Sequence, residues 1–139
     1  MPNYLDPERH QFDAFKNLPR DKPIMMLNLL LFRDKAVYED DREATGAEAY
    51  AVYGRESSPI FRRVGGKITW HGTPDLMLIG PKDEHWDMIF VARYPTASAF
   101  LEMVTDPDYQ VAVKHRQAAV LDSRLIRLDE SDGGIGFAG

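Results

Sequence analysis

Apolar positions along the chain fall into short, strongly patterned runs. Residues 24–32 read Ile-Met-Met-Leu-Asn-Leu-Leu-Leu-Phe, so both parities of a strand are apolar apart from Asn28. A strand that hides both faces belongs in the middle of a sheet, or in a sheet whose second face is covered. Residues 86–94 repeat the pattern, with Asp87 and Arg93 on one parity and Trp86, Met88, Phe90 and Tyr94 on the other. Residues 67–71 predict a further strand, interrupted at Gly72-Thr73-Pro74 and resumed at 76–79 as one bent or bulged element. Plain alternation there sends Trp70 to the Ile68 side and His71 to the Thr69 side. A polar turn over 80–85 joins this strand to 86–94 as a hairpin, and residues 121–128 supply a last strand.

Helical spacing fills the gaps. Pro7 after Asp6 suits a first helical position, Phe12 and Phe15 line one side, and Pro19 stops this leading helix, which reads as a lid or brace. Residues 33–42 are charged and read as an exposed, solubilising loop. Thr45-Gly46-Ala47-Glu48 has capping-box spacing, and Ala49, Tyr50, Tyr53, Ile60, Phe61 and Val64 then form an apolar side. Pro59 should kink or restart that helix, and Gly65-Gly66 ends it. Pro95-Thr96 opens a helix carrying Phe100, Leu101 and Val104; Asp106-Pro107 resets it, and 109–120 continues it.

After the leading helix the order is strand, helix, strand, strand, helix, strand. That is the α+β, ferredoxin-like arrangement: an antiparallel four-stranded sheet with both helices on one face. The second face would be an apolar patch larger than monomers usually leave in water, and a homodimer packed sheet to sheet resolves the conflict. The expected organisation is a single domain over 1–139, with a helical extension at 1–19, a core at 20–128 and a mobile glycine-rich tail at 129–139.

Composition narrows the class. The chain has 139 residues, 44% hydrophobic and 28% charged, an ordinary globular balance that suits one domain. Its net charge of −5 argues against general nucleic-acid affinity, and no apolar run approaches the roughly 18–20 residues of a membrane helix. The start carries an acid and no apolar stretch, so it does not read as a secretory signal. Zero cysteines exclude disulfides, thiol nucleophiles and thiolate-held metals, and fit a cytoplasmic location. The expected partners are a second copy of the chain and a small molecule, with neither nucleic acid nor membrane.

Reactive chemistry therefore rests on His, Tyr, Arg, Asn and Asp. In this architecture the cleft between sheet and helices is the natural pocket, and polar residues on apolar elements are its candidates. Asn28 could orient a carbonyl or satisfy nearby backbone. Tyr50 and Tyr53 share a helix side and are either phenol donors or core residues with a wet tip. Tyr109 and Arg116, two turns apart, face the same way, and Arg116 either grips a carboxylate or enolate or pairs with Asp87, Asp122 or another acid. His115 is the expected base, since imidazole takes a proton near neutral pH. It points about 100° from Arg116 around the helix, so a surface or dimer contact is its alternative. His71 is a second imidazole, and Asp87 is an acid or a cross-strand or dimer salt bridge. The four histidines have no HxH or HExxH spacing, so no metal is expected. Gly133-Gly134-Ile135-Gly136 follows no βα unit and is no phosphate cradle.

A resemblance joins these features. Met26-Leu27-Asn28-Leu29-Leu30 with Phe32 and Lys35-Ala36, Tyr50-x-x-Tyr53-Gly54, Gly65-Gly66, Trp86-Asp87, Arg93-Tyr94-Pro95, and Pro107-x-Tyr109-Gln110 with His115-Arg116 resemble the domain-of-unknown-function family 1330. That family is similar to the dimeric α+β barrel superfamily. The resemblance covers about residues 20–128. It implies a ferredoxin-like subunit and a barrel made by two subunits. Superfamily members include cofactor-free oxygenases, lactone isomerases and haem-binding peroxidase-like enzymes, so no reaction follows from fold. The expected function is small-molecule binding, with cofactor-independent proton abstraction, isomerisation or oxygenation as its enzymatic form and a non-catalytic binding module as its alternative. Haem on an axial His115 enters by analogy only.

Overall fold

The computed structural model describes residues 3–130. Its elements run α1 (Arg9–Asn17), β1 (Ile24–Phe32), α2 (Gly46–Arg63), β2 (Lys67–Gly72), β3 (Met88–Tyr94), α3 (Ala97–Val104), α4 (Pro107–Ala119) and β4 (Val120–Asp129). The four strands form one antiparallel sheet in the order β2-β3-β1-β4, which places β1 and β3 at its centre, as ferredoxin-like connectivity requires.

Local chemistry sets the helix starts. Thr45 Oγ1 accepts from the Glu48 amide at 3.0 Å while the Glu48 carboxylate accepts from the Thr45 amide at 2.8 Å, a complete capping box. Asp106 caps α4 by accepting from the Asp108 amide at 2.8 Å, and Pro107 follows it at the first turn, where its missing N–H costs nothing. The start of α1 differs from the expectation: Glu8 is the cap, in a box with Gln11, so Pro7 lies before the helix. Pro59 sits inside a continuous α2 instead of restarting it.

One sheet face meets the helices. Ile24, Met26 and Leu30 on β1 are buried there, opposite Tyr94, Ala92 and Met88 on β3. Phe15, Phe100, Tyr94 and Phe61 form a chain of ring contacts at 5.1, 5.3 and 5.5 Å that ties α1, α3, β3 and α2 together. Each such pair adds about 0.5–1.5 kcal/mol beyond its buried area. At the other end Leu30, Ala49, Ala119 and Val120 close a second cluster, in which small residues let α2 and α4 approach β1.

The opposite face carries Leu27 and Leu29 of β1, Val91 of β3 and Ile126 and Leu128 of β4, and among the described residues no layer covers it. Ile126 and Leu128 are 46% and 40% exposed.

Two sequence expectations are overturned here. Residues 76–79 do not resume β2; they lie in a connection without strand structure, with Leu76, Leu78 and Ile79 at 77%, 83% and 91% exposure. An apolar pattern marks a strand only where a neighbouring strand accepts its ladder, and β3 is already used by β2 and β1. The second correction is a register shift between Ile68 and Trp70. Ile68 pairs with Ala92 and His71 with Phe90, both on the helix side, whereas Trp70 pairs with Val91 on the open side. The bulge inserts one residue and so reverses the expected sides of Trp70 and His71. The expected tail begins inside β4, which runs to Asp129, and positions 131–139 lie outside the described residues.

Candidate functional site

A cleft of about 1950 Å³ opens between the helix side of the sheet and the helices, with α1 along one rim. Its floor is Met26, Asn28, Phe90 and Ala92, and polar side chains reach it from α2 and α4. The capping box fixes where α2 begins, which places Tyr50 and Tyr53 one turn apart on the side that faces α4. Their rings lie 5.2 Å apart. From α4, Tyr109 meets Tyr53 hydroxyl to hydroxyl at 2.8 Å. Arg116, two turns further on, lines the same cleft, as its spacing from Tyr109 predicts.

Burial pushes the Tyr50, Tyr53 and Tyr109 phenols above their ordinary values, while the Arg116 charge pulls in the opposite direction. The net shift is upward, so all three stay protonated at neutral pH and can act as neutral donors. Arg116 Nη1 donates to the Leu5 carbonyl at 2.5 Å and Nη2 to Ser123 Oγ at 3.3 Å. Ser123 in turn donates to the Tyr4 carbonyl at 2.6 Å, so the N-terminal segment is strapped across β4 beside the guanidinium. The anticipated ion pair of Arg116 with Asp87 or Asp122 does not form: among the described residues no carboxylate lies within salt-bridge distance of it. Asp122 instead accepts from Arg124 and the Tyr4 amide, and Asp87 accepts from the Phe32 amide at 2.8 Å as a cross-strand tie.

Asn28 lines the cleft, and its amide nitrogen donates to the Met26 carbonyl at 3.1 Å, the backbone role of the two that the sequence left open. His71 lines the cleft from β2, brought to that side by the bulge. His115 is not among the lining residues. Its side chain, 13% exposed, sits between Tyr38 and Glu56, with Nδ1 2.6 Å from the Tyr38 hydroxyl and Nε2 3.2 Å from the Glu56 carboxylate. A carboxylate can only accept, so Nε2 donates to Glu56 while Nδ1 shares a hydrogen bond with the Tyr38 hydroxyl. Tyr38, read from sequence as part of a solvated loop, is the residue that reasoning missed; its signal was a lone aromatic in a charged run, stacked here under Arg42 at 4.2 Å. Among the described residues no three of His, Asp and Glu gather as metal ligands do, and no helix is long and apolar enough to cross a membrane.

Comparison with known proteins places the fold and the family. No curated protein matches the sequence. A crystal structure of a protein of unknown function from Rhodopseudomonas palustris is 55% identical, with 95% of this chain and 100% of that one covered and a TM-score of 0.91. SnoaB, a cofactor-independent oxygenase from Streptomyces nogalater, is similar in fold at 15% identity, with 84% and 99% covered and a TM-score of 0.52. A dimeric protein of unknown function and ferredoxin-like fold from Bacteroides fragilis shares 11% identity over 78% and 96%, with a TM-score of 0.50. The family model for the domain of unknown function DUF1330 matches residues 41–127, more than half of the chain, and the chain belongs to that family.

Proposed function

We propose that this chain is a cytoplasmic, homodimeric small-molecule-binding protein whose cleft takes a small oxygenated or aromatic compound. The observation that carries the reading is the convergence of Tyr53, Tyr109 and Arg116 from two helices onto a cleft that also exposes the apolar side chains of Met26, Phe90, Tyr94 and Met103. Few polar groups aimed into an apolar cavity are what orient a small ligand. In its enzymatic form the chemistry is cofactor-independent proton abstraction, isomerisation or oxygenation: Asn28, Tyr53, Tyr109 and Arg116 orient the compound, and His71 is the imidazole that lines the cleft. The fold shared with SnoaB is compatible with such chemistry and does not select it. One observation favours the alternative of a non-catalytic binding module: the imidazole held in place on both nitrogens, His115, is turned away from the cleft.

The homodimer rests on the open sheet face together with the exposed Leu76, Leu78 and Ile79. Those three residues are 77%, 83% and 91% exposed, and apolar side chains left so open are what an interface covers. Light scattering at micromolar concentration should give close to twice the 15.8 kDa chain mass. A stable monomer contradicts the dimer. For the cleft, Tyr53→Phe should fold and weaken the affinity of a compound found to bind; unchanged affinity with a lowered melting temperature assigns the tyrosine pair to packing alone.

A further inference from the structure

The cleft wall has a charge opposite to that of the molecule. The whole chain carries −5, yet the residues lining the cleft include seven Lys or Arg and two acids, Asp6 and Asp13. Several of these cations are occupied. Arg124 is paired with Asp122 at 2.8 Å, and Arg127 ties down α1 through the Phe15 and Pro19 carbonyls. Arg116, like Arg127, has no carboxylate partner among the described residues, and it is the cation whose charge acts on the Tyr50, Tyr53 and Tyr109 phenols. Its partners are a backbone carbonyl and a hydroxyl, which satisfy N–H groups without cancelling charge, and it has N–H donors beyond the two in use.

Beside it the Tyr53 and Tyr109 hydroxyls share a single hydrogen bond, so of their two protons one remains to be donated. Around this polar end the walls are aromatic or thioether side chains: Tyr50, Phe90, Tyr94, Met26, Met88 and Met103. A guanidinium flanked by phenols at the end of an apolar slot is complementary to a compound with one negative oxygen group on a flat apolar body.

We infer that the ligand of this cleft is an organic monoanion, a carboxylate, enolate or phenolate on an aromatic or similarly planar skeleton, with Arg116 as its counter-ion and the Tyr53–Tyr109 pair as hydrogen-bond donor. This rests on the small-molecule reading above and goes further by naming the ligand's charge. One guanidinium matches one charge, and a bidentate carboxylate would replace the Leu5 carbonyl as its partner. Binding therefore exchanges a neutral acceptor for an anionic one and releases the N-terminal segment from Arg116.

The test uses the full-length protein and matched probes: benzoate, salicylate and 2-naphthoate against benzamide, salicylamide and 2-naphthamide, titrated by ligand-observed NMR and calorimetry. Each pair keeps the ring and changes the charge. The carboxylates should bind at least tenfold tighter than the amides, more weakly as sodium chloride is raised, and Arg116→Gln should bring the ratio close to one. Arg116→Lys, which keeps a charge but loses the fork, should retain part of the preference. The ratio in the unmutated protein needs no variant, so a poorly folding Arg116→Gln does not rescue the inference. Amides that bind as tightly as carboxylates overturn the anion assignment and leave the small-molecule cleft standing. Failure of both classes to perturb cleft resonances sinks both readings.

Discussion

Gly46 is the first residue of α2, the helix that carries Tyr50 and Tyr53, and it tests how that helix is seated. From sequence alone Gly46→Ala looks favourable, since Ala is better than Gly in a helix by about 1 kcal/mol. The structure reverses the sign. A Cβ at this position would lie 2.1 Å from the Arg33 carbonyl oxygen and 2.8 Å from both the Ala119 carbonyl oxygen and the Arg33 nitrogen. All three are backbone atoms, and all three are hydrogen-bonded: Arg33 N donates to Ala119 O at 2.8 Å, and Gly46 N donates to Arg33 O at 3.1 Å. No side chain can swing aside, so the start of α2 must retreat. Overpacking of this kind costs about 1–3 kcal/mol and more where backbone cannot yield, so even after the propensity gain a net loss of about 2 kcal/mol is expected. For a chain of this length that lowers Tm by about 7 °C. The same retreat moves Tyr50 and Tyr53 away from Arg116, so probe affinity should fall as well. Differential scanning calorimetry reads the first effect and titration the second. A Tm that rises, or stays within a degree or two, would refute the packing of α2 between Arg33 and Ala119.

Three further outcomes follow from named contacts. Asp106 is held below the ordinary carboxylate value of 3.8, chiefly by the Arg63 guanidinium and then by the Asp108 amide. A depressed native value means its contribution is complete above the unfolded value and lost as pH falls through the native one, so Tm should be flat near neutrality and drop below about pH 4. Asp106→Asn keeps a good cap but loses the charge, and should show a shallower acid slope; an unchanged slope assigns the acid sensitivity elsewhere. Tyr38→Phe removes the hydroxyl bonded to His115, which should cost about 1 kcal/mol and speed amide exchange in residues 36–45, with no change in probe affinity. Weakened affinity in that variant would return His115 to the site. Replacing Leu76, Leu78 and Ile79 together by Ser should leave the circular dichroism spectrum intact and raise the dimer dissociation constant at least tenfold; an unchanged constant removes the 73–87 connection from the interface.

Signals local in the chain were legible before the fold was known. The Thr45–Glu48 box, the Asp106-Pro107 break and the two-sided apolar runs place α2, α4 and the central strands because each depends on residues within a few positions. Spacing also brought Tyr109 and Arg116 to one cavity. What could not be read were facts set by distant partners. Alternation cannot reveal a bulge, so Trp70 and His71 exchanged faces. Hydropathy cannot show that residues 76–79 have no neighbouring strand, so an apolar run became an exposed connection. His115 was singled out for its chemistry, but its orientation is decided by Tyr38, 77 residues away, and Arg116 meets a carbonyl 111 residues earlier.

The most direct test of the binding site is a crystal structure of the protein soaked with 2-naphthoate. The arrangement of Arg116, Tyr53 and Tyr109 requires the ring to lie between the helices and the sheet, with the carboxylate bridging the guanidinium and the phenol pair at about 2.7–2.9 Å and the Leu5 carbonyl displaced. Naphthoate bound on the open sheet face, or a cleft left unchanged with Arg116 still on Leu5, would contradict it.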